Sequence, residues 1–239
     1  MSRPIDWRRL VAEGTAIVLS ILLAFGIDAW WEERLERVEE REILEGLHQE
    51  FVLIEQVLGE HNAQHLERLA ALEELLDIMH AGDSAGREAV IEAALLELLA
   101  PTTSDISNGT LQALLSSGRL EMIESRALRA QLVDWEGHIG EVWDDQVSNA
   151  KMVYEIHVPY FIDAGFGVGS SMRHWYAEWD APVRPIVADP EETARLLSDP
   201  RFYALVELRY GYKKHLTQEF AAAIGAAVAI REAVEDALD

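Results

Sequence analysis

His61 and His65 stand four apart in the run His-Asn-Ala-Gln-His, which puts both imidazoles on one face of a helix at a spacing able to bind a metal ion. Glu60 precedes the pair, whereas the thermolysin-like pattern needs Glu directly after the first His. A third ligand would have to come from elsewhere, for example His80, His138 or Glu141. Polar positions on a helix seam are the competing reading, so no metal is expected from this pair alone. Asp134, His138, Glu141 and Asp145 form a second row on one helical face, able in principle to hold divalent ions or run acid–base chemistry. That row lies about 100° from the apolar seam of its own helix, where water is expected. Gly165-Phe166-Gly167-Val168-Gly169-Ser170-Ser171 lacks the Lys-Ser/Thr of a phosphate cradle and reads as a turn that needs positive φ. Phe166, His174, Trp175, Tyr176 and Trp179, close to Phe161, are the densest aromatic group outside the N-terminus. Exposed, they would form a ligand or partner surface; buried, they would plug the space between helices. No serine sits in a nucleophile elbow, and the chain has no cysteine, which excludes disulfides and thiol nucleophiles. No catalytic residue and no cofactor are expected, and a helical metal site is the one enzymatic reading left open.

The segment that stands out is N-terminal. Gly14 to Ile27 is uncharged but covers only about 21 Å, whereas Leu10 to Trp31 covers about 33 Å, enough for a hydrocarbon core of roughly 30 Å. Trp7 precedes it, and Trp30 and Trp31 close it, as interfacial aromatics do. A cleaved signal peptide would have to use the poor site Ala24-Phe25-Gly26, and a buried core helix is the other alternative. Ala12, Ala16, Ser20 and Ala24 make a row of small residues suited to close helix packing in lipid. Glu13 and Asp28 share that stripe and would face either a partner or the hydrated headgroups. Arginines flank both ends; the short tail with Arg3, Arg8 and Arg9 favours a cytoplasmic N-terminus.

No proline interrupts the chain from Trp31 to Leu44, so the anchor continues as a helical stalk in which Glu33 and Arg37 form a favourable i,i+4 pair. Leu44, Leu47, Phe51, Ile54 and Leu58 alternate in threes and fours; the pattern then shifts and resumes at Leu66, Leu69, Leu72, Leu76 and Met79. A turn at 81–86, a helix over 87–99 and a short helix ended by Gly118 follow. Ser125 caps a long helix with the seam Leu128, Leu132, Trp135, Ile139 and Val142. Residues 159–190 are rich in proline, glycine and aromatics and read as a structured connection in which a hairpin is one option. Asp189-Pro190 and Asp199-Pro200 each start a helix, and the alanine-rich run Phe220–Ile230 implies close packing.

The block GTAIVLSILLAFGIDAWWEER, with Glu13, Gly14, Asp28, Trp30 and Glu32, resembles the anchor of a large bacterial family of single-pass membrane proteins known only as a domain of unknown function. The stretch Thr110 to Leu120, with its Ser117-Gly118 ending, and Ile123-Glu124 with Leu128 and Arg129 are similar to later parts of that family. The resemblance implies membrane anchoring and a helical domain, and no chemistry.

With 239 residues, 49% of them hydrophobic, the chain can bury a core. Its net charge of −23 argues against nucleic acid as a partner. The expected molecule is all-α: a tail over 1–9, a transmembrane helix over 10–31, and an acidic antiparallel helical bundle over 32–239 with an irregular connection at 159–190. The expected location is a bacterial inner membrane, with the bundle in the periplasm. The expected function is structural or interaction-based, through self-assembly or docking to a membrane partner. The alternative is a sensory or ligand-binding domain using the aromatic region 159–180.

Overall fold

The computed structural model describes residues 7–101, 106–171 and 182–239, with backbone only for 7–14 and 16. The described residues are helical and contain no strand, so no hairpin lies in the described part of 159–190. The helices are α1 (Trp7–Ala81), α2 (Glu88–Leu98), α3 (Gly109–Ser116), α4 (Arg126–Met152), α5 (Val158–Asp163), α6 (Pro190–Leu197) and α7 (Pro200–Leu238).

Local signals set the ends of these helices as the sequence implies. Ser125 accepts the N–H of Leu128, Asp189 that of Glu192 and Asp199 that of Arg201, each satisfying a donor that the first helical turn leaves open. Gly118 ends the α3 segment in the left-handed region, φ 71°.

Three long helices make the frame, and each buries residues at a seven-residue repeat. In α7 the buried rows are Phe202, Arg209, Leu216, Ala223, Ile230 and Val206, Lys213, Phe220, Ala227, Val234. In α4 they are Leu128, Trp135, Val142, Asn149 and Leu132, Ile139, Gln146, the second row continuing to Val153 just past the helix end. Glu40 accepts from Glu124, Phe51 meets Trp135, and Arg209 bonds Asn149, so α4 runs parallel to α1 and α7 antiparallel to both. Heptads at all three seams are the pattern of coiled-coil packing.

The α1 seam corrects one expectation. Leu44, Leu47, Phe51, Ile54 and Leu58 are buried as foreseen, but Leu66 is 51% exposed. The inward positions above Leu58 are His65, Leu72, Leu75 and Ile78. The heptad does not shift: Leu44, Phe51, Leu58, His65 and Leu72 are one continuous row. A histidine at an inward position looks like a break when only apolar residues are counted.

A second correction concerns Pro159. Helix continues through it to Asp163, so the irregular connection begins later than 159. Val153–His157 form one π-helical stretch just before the proline. Pro159 then falls in the first turn of α5, where its missing N–H leaves no ladder bond broken.

Two apolar cores result. The lower one packs α1, α3, α4 and α7 around Phe51, Trp135 and Phe220. The upper one packs α1, α2, α5, α6 and α7 around Leu72, Leu95, Phe161 and Phe202. Below both cores, α1 projects alone: from Ile17 to Glu39 every residue is exposed. Among the described residues, no helix is long and apolar enough to cross a membrane. The span expected at 10–31 includes 10–14 and 16, whose side chains lie outside the described residues.

Candidate functional site

The projecting arm carries the sites expected at the N-terminus. Ile17, Val18, Leu19, Ile21, Leu22, Leu23, Phe25 and Ile27 are 49–67% exposed and, at about 100° per residue, cover about 280° of the helix, the remaining sector holding Ser20 and Ala24. A helix that is apolar all round is normally buried in protein or lipid. Ser20, Ala24 and Asp28 are exposed on this arm; the side chains of Trp7, Ala12, Glu13 and Ala16 lie outside the described residues. Trp30 and Trp31 are more than half exposed, their ring centroids 6.2 Å apart, and the Arg34 guanidinium lies 6.0 Å above Trp30. Glu33 and Arg37 form the expected ion pair at 2.9 Å, worth a few tenths of a kcal/mol at most so exposed.

Between the two apolar cores lies a polar layer that no motif announced. The inward positions at this level are His65 on α1, Gln146 and Asn149 on α4, and Arg209 and Lys213 on α7, all buried. Arg68 of α1 reaches in beside them and pairs with Glu97 of α2 at 3.3 Å. The Arg209 guanidinium donates to Asn149 Oδ1, to the Ala100 carbonyl at 2.5 Å and to the Glu97 carbonyl at 3.3 Å. Glu97 lies in the last turn of α2 and Ala100 two residues past its end, so the guanidinium sits at the partly negative C-terminus of that helix. Burial lowers the Arg209 pKa to about 10, which still leaves it charged at neutral pH. Lys213 Nζ stands 3.4 Å from His65 Nδ1. Burial, then Arg209 and Arg68, push Lys213 well below the ordinary lysine value, and Glu97 opposes them.

His65 is the sequence-level metal candidate that falls in this layer. Burial first, then Lys213 and Arg68, hold its pKa down to about 3. Its ring packs edge-on against Phe220 at 4.9 Å, with His61 6.5 Å from the same ring. Cationic neighbours oppose a metal here, and among the described residues no group of three or more His, Asp or Glu could hold one. Three residues of the second candidate row, Asp134, His138 and Glu141, are exposed as foreseen, whereas Asp145 is half-buried, its Oδ2 3.4 Å from His215 Nε2.

The neutral state of His65 has a pH consequence. The unfolded imidazole titrates at the ordinary 6.5, whereas the folded one takes no proton until about pH 3. Stability is therefore full above pH 6.5 and falls as pH falls towards 3, by about 2 kcal/mol at pH 5. Urea unfolding at pH 7 and pH 5 should show a smaller pH loss in His65→Gln than in the wild type. Equal losses in the two proteins would show that His65 is not the group responsible. His157 is also held below its ordinary value by burial and adds a loss of the same sign.

The aromatic candidates divide. Phe166 is buried, packed on Phe161 at 6.1 Å with the Arg195 guanidinium 4.5 Å from its ring. It is core and not an open surface. His174, Trp175, Tyr176 and Trp179 lie outside the described residues. Gly165 has φ 78°, as a turn glycine should, but Gly167 and Gly169 serve a different purpose. A Cβ on Gly167 would overlap the Pro185 carbonyl, and one on Gly169 would meet Val183. Their lack of a side chain lets 183–186 lie against the end of α5, and Gly167 N–H donates to Ile186 O at 3.0 Å.

No protein family, curated protein or solved structure matches this chain.

Proposed function

We propose that the chain is a single-pass membrane protein whose helical bundle serves structural assembly or partner docking, with the N-terminus on the cytoplasmic side of a bacterial inner membrane and the bundle outside it. The observation that carries this reading is the arm. Apolar side chains of 17–27 are exposed around most of α1, and none of the described residues covers them. Left in water, an uninterrupted apolar cylinder of this size would aggregate. Ile17 to Trp31 alone measures about 22 Å, and the sequence extension back to Leu10 brings the helix to the roughly 30 Å of a hydrocarbon core. Trp30, Trp31 and Arg34 then fall at the headgroup level, where amphipathic rings and a long cationic side chain are favoured. The small row Ala12, Ala16, Ser20 and Ala24 supplies a face for a second copy or another membrane helix, and Glu13 and Asp28 share it. The resemblance to a bacterial anchor family supports the same reading.

The test begins with alkaline extraction of membranes from cells making the full chain. Wild type should stay in the membrane, and Leu19→Arg/Leu23→Arg should be released, since each arginine opposes insertion by about 3 kcal/mol at a helix centre. Both substitutions lie far from either core, so the bundle should fold in both. Wild type in the soluble fraction would overturn anchoring. The mass of the detergent-solubilised complex, compared with Ala16→Leu/Ser20→Leu/Ala24→Leu, then decides self-assembly: an oligomer that the triple variant dissociates supports it, and a monomer in both removes it.

A further inference from the structure

At the other end of α1, the turn after Ala81, the first turns of α2 and the segment 185–190 enclose a groove of about 590 Å³. That size lies within the roughly 300–1,000 Å³ of ligand-binding clefts. Its floor is apolar, formed by the buried side chains of Ile91 and Ile186. Four carboxylates line it, and among the described residues no Lys, Arg or His does. Asp83, Glu88 and Glu92 stand on the turn and α2, the last two one helical turn apart, and Asp189 stands on the other wall. Asp83, Glu88 and Asp189 each accept one backbone N–H, from Ala85, Gly86 and Glu192, which fixes their directions. The nearby arginines are engaged elsewhere: Arg87 pairs with Glu74 at 3.5 Å, and Arg184 with Glu192. A smaller cavity of about 250 Å³ shares Gly82 and Ser84 with the groove and extends it towards α6.

We propose that this groove docks a short protein segment in which basic and apolar residues alternate. Charge complementarity selects the cations. Carboxylates distributed over two walls match several positive groups spaced along a chain better than a single ammonium. The apolar floor calls for alkyl or aromatic side chains between them, which a bare polycation does not have. The inference does not depend on membrane anchoring, because it concerns a surface roughly 65 Å along α1 from the near end of the arm.

The test uses the full chain, purified in mild detergent, and fluorescence anisotropy of a labelled hexapeptide alternating leucine and lysine. Saturable binding is expected. Glu88→Gln/Glu92→Gln should weaken it about tenfold. Both glutamates are exposed, so the fold should survive, and circular dichroism checks that it does. Asp134→Asn/Glu141→Gln removes the same charge from the solvated face of α4 and should change affinity less than about twofold. A labelled hexalysine should bind about tenfold more weakly than the mixed peptide. Equal losses in the two carboxylate pairs would show only attraction to the net charge, and would overturn the proposal. So would hexalysine binding as tightly as the mixed peptide, or no binding at all.

Discussion

Arg209→Ala is expected to lower the unfolding free energy by about 3–5 kcal/mol, read from urea denaturation of the full chain at neutral pH. The side chain is fully buried, and its truncation removes several contributions together. It opens a void between two apolar cores. It also removes a buried bond from the Ala100 carbonyl and from Asn149 Oδ1, and a part-buried one from the Glu97 carbonyl, which keeps the Ala100 N–H. Replacing Arg209 by methionine and Asn149 by leucine together fills the volume and removes the amide. It still leaves the Ala100 carbonyl without the donor it has in the wild type, so recovery should be partial. A loss below about 1 kcal/mol in Arg209→Ala would mean that water reaches this layer and replaces the guanidinium.

Trp135→Ala should be of similar size, about 3–5 kcal/mol, because it hollows out the lower core. Trp135 is fully buried and meets Phe51 edge-on at 5.2 Å. The indole N–H has no hydrogen-bond partner among the described residues. Trp135→Phe therefore deletes a buried, unsatisfied donor while keeping most of the aromatic surface, and should cost less than about 1.5 kcal/mol. The gap between the two variants, by the same denaturation assay, is the informative quantity. A phenylalanine variant as unstable as the alanine one would show that the indole N–H makes a bond essential to the core.

Much of this architecture could be read from residue types alone, because the signals are local. A cap needs only a Ser or Asp beside the first turn, and Ser125, Asp189 and Asp199 all act as caps. An apolar seam needs only spacing, and Leu128 to Val142 and Leu44 to Leu58 are buried as read. The polar layer escaped because Arg209 and Lys213 are residue types normally found in water. Their spacing from Phe202, Val206, Leu216 and Phe220 could have placed them inward, and His65 at seven residues from Leu58 could have done the same. The α5 boundary escaped for another reason: a proline usually ends a helix, and only a π-turn just before Pro159 shows that this one continues. Gly167 was read as a turn glycine because its partner, Pro185, is distant in the chain. The groove escaped entirely, since its walls come from segments about a hundred residues apart and no motif marks either.

The continuous heptads of α1 and α7 limit how the bundle can move. A slide of α1 along α7 by one heptad, about two turns, would set Leu58 or Leu72 against Lys213 and Arg209, in place of the polar groups that face them now. The layer occurs once in each long helix, so no nearby register restores the match. Sliding is thus opposed at both ends of the stroke, while tilting or rotating the bundle as one body leaves every layer intact. Motion at the arm would reach the groove as the swing of a lever, with α1 as its shaft, and not as the stroke of a piston.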